Sequence, residues 1–154
     1  MAFAVDHVDL PDRLEEELQL ACRPTPELFA NLAAAACVRL APKGTASAAR
    51  IERLIAAGAW TDAALALVEL EIPTWKIRRL VHEDGEWLCS LSRQPNLPVA
   101  LDDLVEARHE KLPLAILAAF VEARRIRGAA PAASPTVPQV AVRPEQIVCC
   151  DNFA

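Results

Sequence analysis

Residues 75–92 read WKIRRLVHEDGEWLCSLS, and the Asp84-Gly85 pair at their centre decides the fold. Asp-Gly suits a two-residue turn whose central residues both need positive φ, so it marks the tip of a β-hairpin. Placing the tip there sets Glu83 opposite Glu86, His82 opposite Trp87, Val81 opposite Leu88, Leu80 opposite Cys89 and Arg78 opposite Leu91. Strand alternation then gives Arg78, Leu80, His82, Trp87, Cys89 and Leu91 to one face. Trp75, Ile77, Arg79, Val81, Leu88 and Ser90 go to the other. Both faces carry apolar groups, and a lone hairpin is marginal in water, so helices must cover at least one of them.

The flanking sequence supplies those helices. Asp9, Pro11 and Asp12 are start signals for a helix with Leu14, Leu18 and Cys22 on one face. Thr25 is an N-cap with Pro26 at the first helical position, for a second helix carrying Phe29, Leu32, Ala33, Ala36 and Leu40 and closed by Pro42 and Gly44. A third helix from Ser47 presents Ile51, Leu54 and Ile55 and ends at Gly58. Thr61 then starts a fourth, running to Leu70 ahead of Pro73. The segment VALDDLVEARHEK, residues 99–111, fits no single element. LPLAILAAFVEARRIRG, residues 112–128, is a last helix with Pro113 early, basic residues near its end and Gly128 as its stop. Phe3 to Val8 offers a third strand. The expected fold is therefore α+β: about five helices on an antiparallel hairpin, with one domain over residues 1–128.

Composition narrows the classes of function. The chain has 154 residues, a 53% hydrophobic fraction rich in alanine, only 5% aromatics and no Tyr, which favours packed helices over an all-β fold. A formal charge of −5 argues against a surface that attracts phosphate or anionic lipid as a whole. The apolar runs near Leu65–Leu70 and Leu112–Val121 fall short of the roughly 20 residues that span a bilayer, and the acidic amino-terminal stretch is no secretory signal. A cytoplasmic location follows as the expectation, with no membrane contact. In that reducing compartment the five cysteines serve as free thiols.

The motifs that carry chemistry are few. HEKLP at His109 begins like a zinc-protease helix, but Pro113 stands where the second histidine must be. APKGTAS at residues 41–47 has the letters of a phosphate loop in the wrong order. AAGAW, residues 56–60, sits where a helix-turn-helix would turn, but the helix after it, DAALALVEL, has almost nothing to read bases with. Asp102, Asp103, His109 and Glu110 read as a solvated acidic loop and helix cap. On the hairpin, Lys76, Arg78 and Arg79, with Arg124, Arg125 and Arg127 of the last helix, make a weak nucleic-acid surface in which Trp75 or Trp87 stacks a base. Acidic residues at the tip and the expected divergence of Arg78 and Arg79 to opposite faces weigh against it. Cys89 with His82 as base is a second alternative, set back by their diagonal placement and by a mid-strand position that favours an inert thiol.

Residues 129–146 are rich in Pro and Ala without helical period and read as a linker. Residues 147–154 form an apolar tail with vicinal Cys149 and Cys150, and Phe153 near its end. Vicinal thiols can hold a soft metal or oxidise, though Asp151 beside them opposes a low pKa. These readings converge on a small cytoplasmic binding or regulatory module without catalysis and with no cofactor or metal. Its partner is another protein or a second copy, with nucleic acid disfavoured. The expected contact residues are Trp75, Arg78, Arg79, His82, Trp87 and Cys89, with Cys149, Cys150 and Phe153 in the tail. A thiol- or metal-dependent protein using Cys89 and His82, or Cys149 and Cys150, is the alternative of another class.

Overall fold

A computed structural model describes residues 10–40 and 44–128. They form five helices and a three-stranded antiparallel sheet, an α+β fold. The order is α1 (Leu10–Leu20), α2 (Pro26–Ala36), α3 (Ala46–Ala56), α4 (Trp60–Glu71), β1 (Lys76–Glu83), β2 (Glu86–Ser92), a 3-10 turn (Val99–Leu101), β3 (Leu104–His109) and α5 (Leu112–Gly128). The expected strand at Phe3–Val8 lies outside the described residues. The third strand of the described sheet is Leu104–His109, from the segment that fitted no single element.

Local chemistry accounts for most helix ends. Thr25 Oγ1 accepts the Leu28 amide at 3.2 Å with Pro26 in the first turn, the arrangement read from the sequence. Helix α3 begins at Ala46, one residue before Ser47, and Thr45 caps it by accepting the Ala48 amide. Gly58 follows α3 with φ 70°, the left-handed conformation of a C′ residue. Helix α4 begins at Trp60, before the expected Thr61, and has no side-chain cap.

Helix α2 stops at Ala36, four residues short of Leu40, because the chain turns extended at Cys37 and a distant carboxylate takes its next amides. Glu71, buried at the end of α4, accepts from Val38 N at 3.1 Å and from Leu40 N at 2.6 Å. Two backbone donors that a longer helix would have satisfied internally are paired this way. Cys22 lies beyond the end of α1 and is exposed instead of joining Leu14 and Leu18 in the core.

Helix α5 is the centre of the fold. Every residue from Leu114 to Val121 is buried, so the helix is apolar on all sides, as one enclosed by other elements must be. Strands β2 and β3 pack on it from one side, and α1 and α4 from the other. No helix among the described residues is long and apolar enough to cross a membrane.

Candidate functional site

The hairpin closes as its turn residues require: Asp84 has φ 53° and Gly85 has φ 85°, both positive. The pairing runs Glu83 with Glu86, His82 with Trp87, Val81 with Leu88 and Leu80 with Cys89, as expected. Arg79 still faces Ser90, and beyond that pair the register slips. A bulge between Ile77 and Arg79 sets Ile77, not Arg78, opposite Leu91. Ile77 therefore joins the face of Leu80 and His82, and Arg78 leaves it.

Trp87, Cys89 and Leu91 pair with His109, Ala107 and Val105 of β3, and this is the face laid on α5. The Trp87 face is thus the covered one. The face away from α5 carries Val81, Leu88 and Arg108 in one row and Arg79, Ser90 and Glu106 in the next. Central strand β2 is buried over Leu88–Ser92, whereas β1 is largely exposed, with Ile77 at 38% and Leu80 at 37%. Strand order is β1-β2-β3, so β1 is an edge strand, and no described element pairs along its outer side.

The residues singled out from sequence separate accordingly. Trp75 and Cys89 are buried in the core. Burial pushes the Cys89 thiol up to about 12, which leaves it protonated and non-nucleophilic near neutrality. His82 is exposed, its ring tilted against that of half-buried Trp87 with centroids 4.9 Å apart. Arg79 is exposed and loosely paired with Glu83 at 3.4 Å.

Arg78 is committed elsewhere: its Nη1 donates to Asp102 Oδ2 at 2.7 Å and to the Leu97 carbonyl at 3.1 Å. The same carboxylate accepts from Ser92 Oγ and, at 2.9 Å, from the Gln94 amide. Arg78 therefore reaches the Ser92 side of the sheet, the side of Arg79, and the two arginines do not diverge. Asp102 is correspondingly not a solvated loop acid; its side chain is fully buried. Burial acts to raise its pKa, but the bonds from Ser92, Gln94 and Arg78 and the Arg78 charge outweigh it and hold the carboxyl below its ordinary value.

His109 ends β3, buried, with Nδ1 accepting the Lys111 amide at 2.9 Å. Arg125 joins Asp12 at 2.8 Å and Glu15 at 3.5 Å, tying α5 to α1. The side chain of Arg127, and the tail residues Cys149, Cys150 and Phe153, lie outside the described residues.

Two hollows lie away from the edge, with no residue of β1 in their walls. A cleft of about 590 Å³ lies where the first turns of α4 and α5 meet, between Trp60, Trp87 and Lys111. An apolar hollow of about 450 Å³ runs between α2 and α3 over Phe29, Ala33, Cys37, Ile51 and Ile55. Among the described residues no three His, Cys, Asp or Glu side chains converge to hold a metal ion. Comparison with protein-family models, curated proteins and solved structures finds no match for this chain.

Proposed function

We propose that this chain is a small non-catalytic binding module that works through protein contact along the outer edge of β1. An extended segment of a protein partner, or of a second copy, takes the position of a fourth strand. The observation that carries this reading is β1 itself. Its eight residues, Lys76–Glu83, form an edge strand that no described element pairs on its outer side. Such an edge offers a row of free N–H and C=O groups, and the half-exposed Ile77 and Leu80 beside them add apolar contact. The free thiols of Cys22, Cys37 and Cys89 suit a reducing, cytoplasmic setting.

Extended peptides selected for binding from a random library test the reading. Added to isotope-labelled full-length protein, they are expected to move the backbone amide resonances of residues 77–83 most, and Leu80→Lys is expected to weaken them. Peptides that bind elsewhere and leave β1 unmoved would sink it.

A further inference from the structure

The half of β1 on the turn side of the bulge has a self-complementary sequence. It reads Arg79-Leu80-Val81-His82-Glu83, with Arg79, Val81 and Glu83 on the face away from α5 and Leu80 and His82 on the face toward it. Two such strands laid antiparallel about a two-fold axis through Val81 set Arg79 opposite the partner's Glu83, Leu80 opposite the partner's His82 and Val81 opposite itself. Every opposed pair then shares a face, as an antiparallel ladder demands.

Neighbouring registers do worse. Centring on Arg79 opposes two arginines, and centring on Leu80 sets Arg79 against Val81 and Glu83 against Ile77. Of these, only the Val81 register opposes unlike charges, and it does so twice. On the other side of the bulge Arg78 is already held by Asp102 and the Leu97 carbonyl, so the self-complementary stretch is confined to Arg79–Glu83.

The existing Arg79–Glu83 contact supports this arrangement. Four residues of extended strand separate backbone positions by roughly 13 Å, so the 3.4 Å approach draws two long side chains along the edge. Both remain about half-exposed, at 54% and 45%. Directly opposed residues of paired strands have Cβ atoms only about 4.5–5.5 Å apart. The same two groups therefore meet more readily across the two-fold axis than within one strand.

We infer that the chain forms a symmetric dimer by antiparallel pairing of β1 with β1 of a second copy, joining two three-stranded sheets into one of six. This inference rests on the reading of β1 as the working edge and names its occupant. Its test is sedimentation equilibrium of the full chain over a wide concentration range. Wild-type protein is expected to dimerise, and Arg79→Glu and Glu83→Arg are each expected to weaken the dimer about tenfold or more. An equimolar mixture of the two variants is expected to recover association, because both opposed pairs become unlike in the heterodimer. The double variant R79E/E83R should likewise recover it, and recovery also shows that each variant folds. A chain monomeric throughout, a dimer indifferent to both reversals, or a mixture no stronger than its components overturns the inference. If selected peptides still shift residues 77–83 of a monomeric chain, the edge reading stands and self-pairing alone falls; if they do not, both fall.

Discussion

Two buried carboxylates show how single residues hold irregular backbone in place. Glu71 accepts two amides of the segment after α2, from exposed Val38 and partly buried Leu40, and Glu71→Ala would remove the acceptor of both. Its loss is expected to cost about 2–3 kcal/mol in urea unfolding, with Glu71→Gln, which keeps one acceptor, costing less. Asp102 is held below its ordinary carboxyl value of 3.8 in the folded state, so its contribution is present in full above that value. As pH falls through the folded pKa the contribution disappears. Stability measured from pH 6 down to pH 3 should therefore drop less in Asp102→Asn than in the wild type. The thiols divide as sharply. Burial first, then the Glu71 carboxylate, push Cys37 up to about 12 against the pull of Arg124, and burial does the same for Cys89. In a chain with Cys149 and Cys150 replaced by serine, only Cys22 is expected to react with a disulfide reagent at pH 8 until denaturant is added. Rapid native reaction of Cys89 would count against its burial.

At the scale of elements, the hairpin was legible because its information is local. Asp84-Gly85 states the turn, and the turn sets the first five pairs. Gly85 has φ 85°, so Gly85→Ala is expected to cost about 1–2 kcal/mol in unfolding experiments, more than an alanine on the exposed part of β1. The bulge was not legible. Arg78 leaves the expected face for Asp102, a partner 24 positions away in the chain, and no pattern within the strand announces it. β3 was missed for a related reason. LVEARH alternates Val105, Ala107 and His109 against Leu104, Glu106 and Arg108, a contrast too weak to separate strand from helix without knowing that β2 lies alongside. The expected length of α2 failed on Glu71, which looks in sequence like one more charge at a helix end. Of the residues expected to make contacts, Arg79 and His82 lie exposed on the edge. Trp75 and Cys89 were singled out for chemistry that burial removes.

At the scale of the molecule, α5 joins two layers that touch each other little: helices α1 and α4 on one side, β2 and β3 on the other. Both layers close on the same helix. Sheet and helices should therefore lose structure together. Single-tryptophan variants that keep either Trp60, beside Phe29 at 5.9 Å, or Trp87 in the sheet are expected to report the same denaturation midpoint. Phe120→Ala, at the fully buried middle of α5, should cost about 3–5 kcal/mol of stability and lower both midpoints equally. Separate midpoints would mean that the two layers are independent. The central helix also sets an order of events during synthesis. It is the last described element, and the ribosome delivers it only after every surface it covers. At about 5–20 residues per second, the apolar side of α1 waits on the order of ten seconds for its partner. By the end of that interval the nascent chain carries every other described element but not the one around which they close, so the apolar sides that face α5 stay open to water until it emerges.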